Sequence, residues 1–173
     1  LGIKLNAEES GGKLYIDNED ALTISFYVSP DYSKDGSKET TLLNTTKTTA
    51  AAAFVSNTSS LITNNSENSD YDKLLAYKDA ICEATGYNDA AADVSWTKGY
   101  GDPWQLIYVF DGDASTTVVC EGYAKAFLYV ARRAGLNVMN VTGTDSRGEN
   151  HVWNIAEADG NYYQIDITWD DDQ

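Results

Sequence analysis

Apolar positions along this chain alternate at its two ends and recur every three or four residues between them. Near the start, Lys13-Leu14-Tyr15-Ile16 and Leu22-Thr23-Ile24-Ser25-Phe26-Tyr27-Val28 are rich in β-branched and aromatic side chains. Such side chains fit a pleated, half-buried surface, so both runs predict strands. Asp17-Asn18 predicts a turn between them, Pro30 closes the second, and Asp35-Gly36 is another turn signal. Over 39–63 Thr and Ser dominate, yet Ala50-Ala51-Ala52-Ala53-Phe54-Val55 favours a helix, expected from about 46 to 63. After the polar connector 64–69, Asp70 is the expected cap of a helix reaching about Thr85, with Gly86 suited to its end. The apolar positions of that helix, Tyr71, Leu74, Leu75, Tyr77, Ala80, Ile81 and Ala84, recur mostly three and four apart.

The stretch 87–117 reads mostly as loop, with a turn at Tyr100-Gly101-Asp102-Pro103. The apolar block Trp104–Phe110 is too short to assign to strand or helix by periodicity. Asp111-Gly112-Asp113, which ends it, reads as a solvated turn, because a calcium loop of the EF-hand type needs a longer ligand series and a terminal Glu. A helix is expected over 119–134. Tyr123, Ala126, Phe127, Val130, Ala131 and Ala134 make its apolar stripe, Arg132 and Arg133 suit its last turn, and Gly135 stops it. Strands are expected at Asn137–Thr142, Val152–Glu157 and Tyr162–Thr168, joined by the polar stretch 143–150 and by the hairpin signal Asp159-Gly160. Helices followed by an antiparallel meander define an α+β class, and 173 residues suit a single domain with one well-filled core.

Charge narrows the partners. Twelve Lys and Arg against 27 Asp and Glu give a net charge of −15, without a basic stripe, which argues against nucleic acid. The acidity serves solubility or a preference for cationic groups. No run of 18 apolar residues is present, so no membrane insertion is expected. The start at Leu1, with neither an initiating Met nor a signal peptide, suggests a processed or trimmed chain. Two cysteines and one histidine are too few for a disulfide scaffold or an ordinary zinc site, so neither metal nor cofactor is expected. Cys82, inside a helical pattern, reads as a small packing residue.

Cys120 is different, because it opens a predicted helix. Helix N-terminal N–H groups and a nearby imidazolium both favour a thiolate. The chain's one histidine, His151, lies 31 residues further on, and Asp166 follows 15 residues later with the Asp159-Gly160 hairpin between. Neighbouring antiparallel strands would bring ring and carboxylate together, the acid holding the imidazole in one tautomer. Each residue has a plainer reading: Cys120 as packing, His151 as a surface or satisfied core residue, Asp166 as a strand terminator. Their grouping with Trp153 and with the string Asp166-Ile167-Thr168-Trp169-Asp170-Asp171 favours chemistry.

Val119-Cys120-Glu121-Gly122-Tyr123-Ala124, His151-Val152-Trp153-Asn154 and Asp166-Ile167-Thr168-Trp169-Asp170 resemble the motifs of the bacterial transglutaminase-like superfamily, relatives of the papain-like cysteine peptidases. The approach Trp104–Gly112 is similar to the cell-surface branch in Gram-positive bacteria. The likeness covers about residues 70–172, whereas 1–69, read as a strand and helix extension, carries no comparable match. The resemblance implies a transglutaminase-like, papain-like core with helices packed on an antiparallel sheet. It implies a Cys120–His151–Asp166 triad forming a thioester from a carboxamide or peptide carbonyl, with water or an amine as acceptor. The backbone N–H of Cys120 and a side-chain donor from Gln105 or Trp104 are candidates for the oxyanion hole. Trp153 and Trp169 either line the cleft or pack the strands. The implied substrate is a protein or peptide, including cell-wall peptide, met by a secreted or surface-bound monomer without metal. A scaffold or binding module that keeps this fold without turnover is the alternative. Relatives usually continue into further sheet beyond the third motif, so a truncated core is expected at Gln173.

Overall fold

The computed structural model describes residues 2–5, 7–10, 13–16, 24–37, 40–93 and 103–171. The turn expected at Asp17-Asn18, the first two residues of the second strand run and the turn signal at 100–102 lie outside them. Contacts divide the chain into two compact units, Leu1–Thr49 and Ala50–Gln173.

Among the described residues the first unit holds four short strands: β1 (Gly2–Leu5), β2 (Ala7–Ser10), β3 (Lys13–Ile16) and β4 (Ile24–Tyr27). β1 pairs antiparallel with β4, and β2 with β3. A 3-10 turn follows at Pro30–Tyr32. The helix α1 (Thr45–Asn64) starts in this unit, where Asn44 Oδ1 accepts the Lys47 N–H at 3.1 Å.

The second unit is α+β. Its helical part comprises the rest of α1, then α2 (Asp70–Ala84), α3 (Asp89–Asp93), α4 (Pro103–Val109) and α5 (Cys120–Arg133). The sheet follows as β5 (Asn137–Thr144), β6 (Asn150–Ala158) and β7 (Asn161–Ile165), all antiparallel in the order β5-β6-β7, and α6 (Ile167–Asp170) comes last. The cap of α2 is Ser69 rather than Asp70. Its hydroxyl accepts the Asp72 N–H at 3.1 Å, and Asp70 becomes the first helical residue, where its charge suits the positive helix end. Gly86 is not used as a left-handed stop, because Thr85 leaves the helix extended at φ −148° and donates its hydroxyl to Thr116 O. The undecided block after Pro103 is helical, with proline at the first position, where its missing N–H does no harm.

The core gathers around α5. Tyr123, Ala126, Phe127, Val130 and Ala131 of its stripe are buried, and α2 contributes Leu74, Tyr77 and Ile81. Phe54 of α1 packs against Phe110 and Tyr129, and Asn57 Nδ2 donates to Phe110 O at 2.8 Å. On β6 the even positions 152–158 are buried and the odd ones are half-buried, so α5 lies against the even face. The hairpin from β6 to β7 turns through Asp159 and Gly160, at φ 51° and 77°, the pair of left-handed residues that a tight hairpin turn requires.

Candidate active site

The first residue of α5 is Cys120, and the chain is bent sharply to put it there. Val118 pairs with the segment after α2: its N–H donates to Gly86 O at 3.2 Å, and its O accepts the Asn88 N–H at 2.9 Å. Val119 is extended, and its N–H donates to Gln105 Oε1 of α4 at 3.2 Å. The Gly122 N–H then turns back to Val119 O at 2.8 Å. This turn is so close that a Cβ on Gly122 would lie 2.5 Å from Val118 Cβ. Glycine is therefore dictated by contact with the approaching segment at Val118, not by its backbone angles.

His151 is the second residue of β6 and is half-buried, on the odd side of the strand. Its Nε2 lies 2.8 Å from Asp166 Oδ2. The sequence placed Asp166 within a strand running to Thr168, and this is corrected. β7 stops at Ile165, opposite Asn154, and Asp166 caps α6 with its carbonyl accepting the Trp169 and Asp170 N–H groups at 3.1 Å. A strand would have sent alternate side chains to opposite faces. The turn instead brings the Asp166 carboxylate and the Trp169 ring to the histidine together. Trp169 meets the imidazole edge-on at 6.2 Å, while Trp153, two residues from His151 on the same face, stacks on it at 5.8 Å. Trp153 lies over Gly143, where a Cβ would come within 2.9 Å of the indole. It thus supports the ring from the sheet side, and Trp169 stands at the mouth.

Cys120, His151 and Trp169 line one open cleft of about 570 Å³, together with Tyr87, Thr168 and Arg147. Arg147 belongs to the β5–β6 loop and sits 5.6 Å over the Trp169 ring. Asp145 and Glu149 hold it through contacts of 3.0 and 3.2 Å. Gln105 is tied to the turn before the cysteine, whereas Trp104 is buried against Tyr108. Cys82 and Cys120 are not joined by a disulfide. Burial drives the Cys82 thiol up to about 11, which suits packing rather than reaction.

Burial also raises the Cys120 thiol above its ordinary value, and the backbone N–H groups of Val152 and Glu121 pull it back only in part. Desolvation outweighs these two donors, one on β6 and one in the first turn of α5, so the balance at the sulfur favours the thiol. Burial likewise raises the Asp166 carboxyl, opposed by its hydrogen bond to His151. Sequence reasoning passed over Tyr87, in a stretch read as loop, and Arg147. The one visible signal for Arg147 was an arginine set between acids at 145 and 149. Among the described residues, no group of three His, Cys, Asp or Glu could hold a metal ion. No helix among them is long and apolar enough to cross a membrane.

No family model and no curated protein matches the chain. Among solved structures it is similar to one described as a TGase, with a TM-score of 0.49 and 22% identity over 85% of this chain. The chain spans 39% of that protein's length.

Proposed function

We propose that this chain performs cysteine-dependent acyl transfer on amide or peptide bonds, in the manner of the transglutaminase-like proteins whose motifs it resembles. One observation carries the reading: the imidazole bonded to a carboxylate at 2.8 Å borders the same cleft as a cysteine that opens a helix. Because Asp166 occupies Nε2, Nδ1 is the nitrogen that exchanges protons with substrate and sulfur. With the thiol neutral at rest, proton transfer accompanies attack. Cys120 Sγ bonds to the carbonyl carbon as His151 takes its proton, and the oxygen becomes an oxyanion. His151 then gives that proton to the departing amine as the C–N bond breaks, leaving a thioester. Water or a primary amine adds to the thioester, losing a proton to His151, and the sulfur leaves and recovers that proton. The Cys120 N–H and the Gln105 side-chain amide are the donors proposed for the oxyanion, the latter because its oxygen is already anchored at the same turn. The natural substrate in this reading is a protein or peptide outside the cell, acted on by a monomer.

The test is to incubate peptide libraries with the protein, with and without a primary amine, and to compare wild type with Cys120→Ala by mass spectrometry. Hydrolysed or amine-linked products made only by the wild type are expected. Equal product from the variant removes Cys120 as the nucleophile, and no product from either leaves the fold as a binding module.

A further inference from the structure

Asn154 is wholly buried, yet its side chain is polar. Its Nδ2 donates to Ala124 O of α5 at 3.1 Å and to Asn140 Oδ1 of β5 at 2.8 Å. Its Oδ1 has no hydrogen-bond partner among the described residues. A leucine, with the same branching, would leave no orphaned oxygen there, so the amide is not the choice that burial alone favours.

The two ends of that bond sit at matched places. Ala124 lies one helical turn after Cys120, and Asn154 lies two strand residues after Val152, whose N–H reaches the Cys120 sulfur. Four residues of helix rise about 6 Å and two residues of strand advance about 6.6 Å, so helix and strand run in step over this distance. The Asn154–Ala124 hydrogen bond therefore lies one matched step along from the place where the Val152 N–H acts on the Cys120 sulfur. Apolar packing alone lets a helix slide along a sheet, because it has no direction. A hydrogen bond to one chosen carbonyl does not.

We propose that Asn154 is a positioning residue which fixes the axial register of α5 on β6 and so sets where the Cys120 sulfur stands in the cleft it shares with His151. The register does not depend on the acyl-transfer reading; only its catalytic consequence rests on that reading.

The test uses the full chain with Cys82→Ala, so that one thiol reports, and compares it with the same chain carrying Asn154→Leu. Two quantities are followed: the exchange rate of the Val152 amide by NMR, and the midpoint of the pH profile for alkylation of Cys120 by iodoacetamide. With the register loosened, the Val152 amide exchanges about tenfold faster, and the alkylation midpoint rises by about one pH unit as the sulfur loses a donor. A folded Asn154→Leu protein with either quantity unchanged overturns the proposal, since a merely structural asparagine would alter melting and leave both alone. If Asn154→Leu does not fold, Asn140→Ala decides on the same readouts, because it frees the Asn154 amide at an exposed partner; it is expected to move both in the same direction by less. Neither quantity requires turnover, so loss of the catalytic reading in the peptide experiment would be seen separately.

Discussion

Asp166 works against the fold and for the site. Its carboxyl is raised by burial, so the folded state prefers it protonated. The stabilising contribution is therefore full below the ordinary carboxyl value of about 3.9 and is lost as pH climbs through the raised value. Asp166→Asn removes that dependence. The wild type's advantage in melting temperature over Asp166→Asn is expected to shrink steadily as pH rises from acid to neutral, and calorimetry at a series of pH values checks it. In the proposed reaction the same variant should lower acyl transfer by about 10²–10⁴-fold, since the neutral amide no longer stabilises a charged imidazole. Gly122 presents the opposite case, where the site and the fold want the same thing. Gly122→Ala would press a methyl group onto Val118, which is itself buried on both sides of the turn. A loss of about 1–3 kcal/mol in denaturant unfolding is expected.

Among the elements, the β5–β6 loop owes its shape to one side chain. Asp145 accepts the N–H groups of Arg147 and Glu149 at 2.8 and 2.9 Å and the Arg147 Nε at 3.0 Å. These donors, the Glu149 N–H foremost, hold its carboxyl below the usual value. The order they supply is present above about pH 4 and is lost as pH falls through the lowered value. Amide exchange at Arg147 and Glu149 should quicken in acid before the rest of the sheet, and Asp145→Ala should show the quickened rates already at neutral pH. The helix α1 makes a different prediction, because its apolar side carries Phe54 into contact with Phe110 and Tyr129. Phe54→Ala is expected to destabilise the second unit by about 3–5 kcal/mol, read from unfolding curves. Periodicity foresaw both α2 and α5, because each carries a stripe of Leu, Tyr, Ile, Phe or Val along one face. The caps were less legible: Ser69 and Asp70 are both good capping residues, and only the reach of a hydroxyl to the Asp72 N–H separates them. α6 was not foreseen, since four residues hold no period and Thr-Trp reads as strand.

For the whole molecule, the division after Thr49 falls inside α1. A chain begun at Asn44, which keeps the Lys47 N–H capped, is expected to retain the circular dichroism of a mixed helix and sheet protein and the Cys120 chemistry of the full chain. A molten spectrum from it would mean that residues 1–43 are needed for the second unit to fold. The likeness in motifs begins near residue 70, whereas Phe54 belongs to an Ala- and Thr-rich stretch whose core contacts no local pattern discloses. The three residues proposed for the chemistry stood out for the opposite reason. Cysteine and histidine are scarce here, and scarcity with order is visible in one dimension. Their surroundings are not: the early end of β7 and the Asn154 bond depend on partners far along the chain, and the close turn at Gly122 on a contact with Val118 that no pattern marks.

The shielded sulfur of Cys120 has one more consequence. Peroxide and oxidised small thiols react with the ionised form of cysteine, so a group kept protonated until substrate arrives is a poor target for them. Sulfenic acid is therefore expected to accumulate on Cys120 more slowly than on a small-molecule thiol at neutral pH.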